Sequence, residues 1–128
     1  PERIDNLFSV VQVELRCVGT RSNGTAIEAA QALVGDNADP NTQIAVEEFQ
    51  VFYWVINAAG QQRRVTAANV PANGGWPAVD AVEVCLQLRG TGTTYPTANF
   101  NNCRDASVAN GGRLHQVFRG TYKIRNRV

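Results

Sequence analysis

Hydrophobic and polar residues along this chain alternate mostly with the period of a β-strand, not with that of a helix. In LFSVVQVELRCV (7–18), Val11, Val13, Leu15 and Cys17 share one face and Gln12, Glu14 and Arg16 the other, which predicts one half-buried strand. GTRSNGT (19–25) has the composition of a turn. AIEAAQALV, which follows, fits a short helix or a strand equally well. GDNADPNT (35–42) predicts a loop, with Pro40 holding Asp39 away from helical geometry.

QIAVEEFQVFYWVIN (43–57) is rich in aromatic and β-branched residues. Ile44, Val46, Phe52, Trp54 and Ile56 have one parity and Phe49, Val51, Tyr53 and Val55 the other, so the second half of this strand is expected to be covered on both faces. AAGQQRR reads as a turn and VTAANVPANGGW as irregular structure punctuated by Pro71, Gly74 and Gly75. VDAVEVCLQLRG (79–90) alternates most cleanly, with Val82, Val84, Leu86 and Leu88 expected inward and Glu83, Gln87 and Arg89 outward. Residues 90–112, rich in Gly, Thr and Asn, predict a long loop. In the closing segment RLHQVFRGTYKIRNRV, the even positions from Phe118 are Phe118, Gly120, Tyr122, Ile124, Asn126 and Val128, and the odd ones are Arg119, Thr121, Lys123, Arg125 and Arg127. Helical spacing would scatter these charges around a cylinder; at period two they form one basic face, which predicts a strand with its apolar side inward and its charges outward.

Charge sharpens the question about that last segment. The net charge is +1, yet residues 1–112 hold seven basic and eleven acidic residues whereas residues 113–128 hold five basic and no acidic ones. The favoured reading is a solvated outer sheet face whose cations discourage edge pairing. A charge-reading partner surface comes second. Nucleic-acid recognition is disfavoured, because no stacking platform or docking helix accompanies the basic positions. At 128 residues a single domain, 1–128, is expected, long enough to bury roughly two-thirds of its unfolded surface. The chain begins at Pro1 and contains no Met, so a processed or truncated form is expected. No run approaches the roughly eighteen apolar residues that span a bilayer, which predicts a soluble chain as it stands.

Candidate chemistry is thin. The three cysteines, Cys17, Cys85 and Cys103, lack the close spacing of a zinc site, and His115 is the sole histidine, so no metal is expected. Cys85 lies in a predicted strand and Cys103 in a turn-like segment, so a Cys85–Cys103 bridge would close a loop of roughly 20 residues and add about 3 kcal/mol in an oxidising compartment. The alternative is three reduced cysteines buried as small hydrophobes. A nucleophile would have to be Cys85, Cys103, Ser9, Ser22 or Ser107 acting with His115, and none sits in a recognisable elbow; His115 is read as a surface or packed residue. Glu47 and Glu48, adjacent on a strand, point to opposite faces and do not form a carboxylate pair. DNADPN lacks the twelve-residue calcium pattern, GTGTT and ANGGW lack phosphate-loop spacing, and NGT (23–25) is a formal glycosylation sequon.

Four blocks in fixed order carry a resemblance: LRCVG, then ALVGDNADPNTQIAVEEFQVFYWV, then ANGGWPAVDAVEVCLQLRG, and finally NGGRLHQVFRGTYKIRNRV. Together they resemble the periplasmic part of PilW-type minor pilins of bacterial type IV pili. The likeness covers most of the chain from Cys17 onward in broken blocks, and VFRGTYKIRNRV is its most specific part. The chain departs from the family pattern at YWVIN, where a Tyr-Gly-Asp-type turn is common, at LRG in place of LRS, and in lacking an N-terminal hydrophobic helix with its processing site. The resemblance implies an α+β fold, an antiparallel β-sheet-dominated type IV pilin-like domain without most of its N-terminal helix. The sheet face that such a helix would cover is then expected to be apolar and exposed.

The resemblance further implies a prepilin held in the inner membrane by that absent helix and cleaved by a prepilin peptidase. The product joins other minor pilins, the major pilin and a tip adhesin in a complex that primes assembly, passing from inner membrane and periplasm to the extracellular pilus tip. No catalysis, cofactor or small-molecule substrate is implied. An oxidising periplasm favours the Cys85–Cys103 bridge and leaves Cys17 as the odd thiol. Arg119, Lys123, Arg125 and Arg127 are the candidate interaction face. The alternatives are a minor pseudopilin of type II secretion and a DNA- or anion-binding module that uses the basic closing strand.

Overall fold

The computed structural model describes residues 4–11, 14–21, 23, 25–26, 31–34 and 44–124. They form a mostly antiparallel β-sheet domain, and among them there is no α-helix. Nine strands occur in chain order: β1 (Ile4–Val11), β2 (Glu14–Arg21), β3 (Gln31–Val34), β4 (Ile44–Ile56), β5 (Gln62–Val65), β6 (Val79–Gly90), β7 (Asn99–Asn101), β8 (Ser107–Ala109) and β9 (His115–Lys123). They assemble as a three-stranded sheet β1-β2-β3, a four-stranded sheet β5-β4-β6-β9 and a two-stranded hairpin β7-β8. The chain divides into two compact units, Pro1–Phe49 with Gln87–Val117, and Gln50–Leu86 with Phe118–Val128.

In the first unit, β1 and β2 pair antiparallel from Ile4↔Arg21 to Val11↔Glu14. The segment expected to be one strand over 7–18 is therefore parts of two, and Val11, expected to share a face with Leu15 and Cys17, is paired with Glu14 across the two strands. β2 continues onto β3 with a register shift at Leu15/Arg16. Of AIEAAQALV, the QALV portion is strand, and residues 27–30 lie outside the described residues, as does the expected loop 35–42. The expected turn at 19–25 begins later than its composition indicated, since β2 runs to Arg21; Asn23 then accepts a hydrogen bond on its side-chain oxygen from Thr25 N–H at 2.9 Å.

The long loop expected over 90–112 contains the hairpin β7-β8, whose three-residue arms are too short to show a period. Its turn is built on Asn102, whose Oδ1 accepts from Arg104 N–H at 2.9 Å and Ala106 N–H at 3.0 Å, with Asp105 at φ 62°. Asn110, buried, closes the loop base: it accepts from Ala98 N–H and Gly112 N–H and donates to the Pro96 carbonyl.

In the second unit, the expected strand over 43–57 is β4, and Phe52 and Val55, of opposite parity, are both buried as a strand covered on two faces requires. Gln62, Arg63 and Arg64, expected in a turn, instead belong to β5, paired through Trp54↔Arg64 and Ile56↔Gln62. The turn itself is only Asn57–Gln61, where Asn57 Oδ1 accepts from Ala59 and Gln61 N–H and Gly60 adopts φ 78°. Residues 67–78 form three short 3-10 turns. The core of this unit joins Val55, Val65, Val70 and Val79, with Tyr53 and Ala78 packed against it; Tyr53 meets Trp76 edge-on at 5.1 Å.

One expected orientation is reversed and a second is not met on its apolar side. β6 runs over the expected 79–90, but its buried positions are Val79, Ala81, Glu83, Cys85 and Gln87, whereas Val82, Val84, Leu86 and Leu88 are only half-buried. β9 is likewise a strand, yet Phe118, Tyr122 and Ile124 are exposed, as are Arg119, Thr121 and Lys123. In β6 the reason is that Glu83 and Gln87 find partners across the sheet, which encloses their face, whereas β9, at the sheet edge, is exposed on both faces over 118–123.

Candidate interaction surface

The polar face of the second unit is organised by Glu83 on β6, 6% exposed. Its Oε1 accepts from Arg64 Nη1 at 2.9 Å and from Arg119 Nη1 at 3.0 Å, and its Oε2 from Trp54 Nε1 at 3.3 Å. Register explains the convergence: Trp54 and Arg64 are directly opposed on β4 and β5, so their side chains share a face. Arg64 also lies over the Phe52 ring, 4.5 Å from its centroid, two residues along β4 on the same side. The carboxylate thus accepts charge-assisted bonds from two guanidiniums, which offsets the cost of enclosing it.

Arg119 is exposed, as the expected basic face requires, but its guanidinium is engaged by Glu83. Lys123 is exposed, and Arg125 and Arg127 lie outside the described residues. Because Arg119 and Glu83 meet, strand alternation places Phe118 and Tyr122 with Val84 and Leu86 on the opposite face. Phe118 is 52%, Tyr122 65% and Ile124 42% exposed, so this opposite face carries the apolar surface.

In the first unit a second polar cluster surrounds Glu47. Glu47 Oε2 accepts from Gln87 Nε2 at 2.6 Å and lies 3.1 Å from His115 Nε2, and its Oε1 is 3.5 Å from Arg89 Nε. The His115 ring stacks on Phe100 at 4.2 Å, and its Nδ1 is 3.1 Å from the Arg113 carbonyl oxygen. His115 is thus a packed histidine. Gln87, expected outward, is buried and accepts from Cys103 N–H at 3.2 Å. Glu48 binds Arg104 at 2.6 Å. Cys85 and Cys103 form a disulfide and are fully buried, while Cys17 is a free thiol. With their sulfurs bonded, neither Cys85 nor Cys103 is a thiol nucleophile for His115.

A cleft of about 790 Å³ is lined by Val55, Asn57, Gln61, Arg63, Asn73 and Ala78 in the second unit. Its polar side chains bond one another, Asn57 to Gln61 and Arg63 to Asn73, as a structural turn does. Among the described residues no group of three or more His, Cys, Asp and Glu side chains could hold a metal. No signal in the sequence marked Glu83 or Glu47 as hubs: Asp80 shares β6 with Glu83 and Glu48 follows Glu47 on β4, so neither acid stands out along its strand. No protein-family model, curated protein or solved structure matches the chain.

Proposed function

We propose that this chain is the globular part of a PilW-type minor pilin, a non-enzymatic subunit that helps prime type IV pilus assembly within a minor-pilin complex at the pilus tip. The observation that supports the reading is at β9. The segment with the most specific family likeness, VFRGTYKIRNRV, supplies an edge strand with Phe118, Tyr122 and Ile124 exposed, a surface suited to a neighbouring subunit. The partners are other minor pilins, the major pilin and a tip adhesin, and the path runs from inner membrane and periplasm to the pilus. The Cys85–Cys103 disulfide is compatible with an oxidising compartment.

Deleting the gene and imaging cells for surface pili tests this. The expected result is a sharp loss of pili that the wild-type gene restores. Unchanged piliation would overturn the reading, and lost protein secretion with pili intact would assign the chain to a type II pseudopilus instead.

A further inference from the structure

The two edges of the four-stranded sheet differ. β5 is four residues long, as short edges that resist unwanted pairing are, whereas β9 is nine residues long and contains no proline. Gly90 N–H donates to the Leu114 carbonyl at 2.8 Å, and Ile124 N–H to the Asp80 carbonyl at 3.0 Å. Those two bonds make β6 and β9 antiparallel, with the even-numbered main-chain groups of β9 turned to β6. The N–H and C=O groups of Thr121 and Lys123 therefore point to the open side, where the sheet order has no further strand among the described residues.

Side chains add a second layer of recognition. On one face Phe118, Tyr122 and Ile124 form an exposed apolar strip. It is continuous because the Tyr122 ring lies over Gly120, where an added Cβ would fall 2.7 Å from the tyrosine hydroxyl. The other face bears Lys123, within a segment (113–128) of five basic and no acidic residues. A second copy pairing through the same edge would set like charges opposite one another, which is destabilising. An incoming strand alternates its own side chains between the two faces.

We propose that β9 takes up an extended strand of a different protein by main-chain addition, and that this strand alternates apolar residues, over Phe118 and Tyr122, with acidic residues beside Lys123. The proposal rests on the assembly reading for the source of the strand and names the chemistry of the partner.

The test is fluorescence anisotropy with the whole chain and a labelled, end-capped peptide alternating Val and Glu. Saturable binding is expected, weakened roughly tenfold by the double variant Phe118→Thr/Tyr122→Thr. Thr121→Pro, which removes an outward N–H and leaves the ladder to β6 intact, should weaken it further. The same peptide with alternate amides N-methylated on one edge cannot complete the ladder and should not bind; used with the unaltered protein, it decides the matter even where a variant fails to fold. Equal binding by the methylated or an order-scrambled peptide would show attraction by charge alone and overturn strand addition, and so would absence of binding by every peptide. Failed peptide binding alongside pili lost on gene deletion overturns only strand addition; peptide binding with unchanged piliation overturns only the assembly reading.

Discussion

The carboxylate of Glu83 joins side chains from three strands other than its own: Trp54 on β4, Arg64 on β5 and Arg119 on β9. Its two cationic partners are not equivalent to it in weight. The Arg64 and Arg119 side chains retain 27% and 30% of their exposure, so losing one leaves a half-solvated site with the other pair intact, an effect of the size of a surface ion pair. Losing the Glu83 charge instead weakens both ion pairs at once, together with the bond from Trp54 Nε1, at the most buried member of the cluster. Glu83→Gln is accordingly expected to cost about 2 kcal/mol, read as a lower urea midpoint at unchanged slope, whereas Arg119→Gln should cost under about 1 kcal/mol. Equal costs for the two would show that the carboxylate is not the hub.

At the level of elements, the Cys85–Cys103 bridge ties β6 to the turn of the β7-β8 hairpin, and Cys103 N–H is also held by Gln87. A hairpin with three-residue arms has little ladder of its own, so the covalent tie matters more there than it would on a long strand. Replacing both cysteines by Ala should lower stability by about 3 kcal/mol. Thiol titration of the unfolded, unreduced protein should count one thiol, from Cys17, and three after reduction; three before reduction would refute the bridge.

The elements also show what was legible beforehand. β4 and β6 were readable nearly to the residue, β4 because its β-branched and aromatic residues specify a strand locally and β6 because its alternation is regular. Their facing was not, since alternation fixes a period but not a sign: Glu83 and Gln87 are inside only because Arg64, Arg119, Glu47 and Cys103, remote in sequence, meet them there. The β1-β2 hairpin was missed because no Gly, Pro, Asn or Asp lies between the strands. β5 was missed because Gln62, Arg63 and Arg64, three of its four residues, are polar, its strand state being imposed by pairing with β4.

At the scale of the molecule, the charge asymmetry poses a choice between a pilin-assembly surface and a nucleic-acid surface. Binding to duplex DNA releases about one counterion per phosphate neutralised, and the slope of log K against log salt is roughly −0.9 for each. Of the five basic residues in 113–128, Arg119 already bonds Glu83 and Arg113 bonds the Thr91 carbonyl. At most three others, Lys123, Arg125 and Arg127, can add phosphate contacts, against a remainder of the chain that is net negative and repels the duplex. A slope no steeper than roughly −3 and an affinity no tighter than the weak end of non-specific binding, about 10⁻⁴ M at physiological salt, are therefore expected. Lys123→Glu provides the control, since its exposed position makes it a charge change with little effect on folding. A slope well beyond −3 that collapses in Lys123→Glu would mean the basic segment reads phosphate, and the closing strand would then be a nucleic-acid surface and not a seat for a neighbouring subunit.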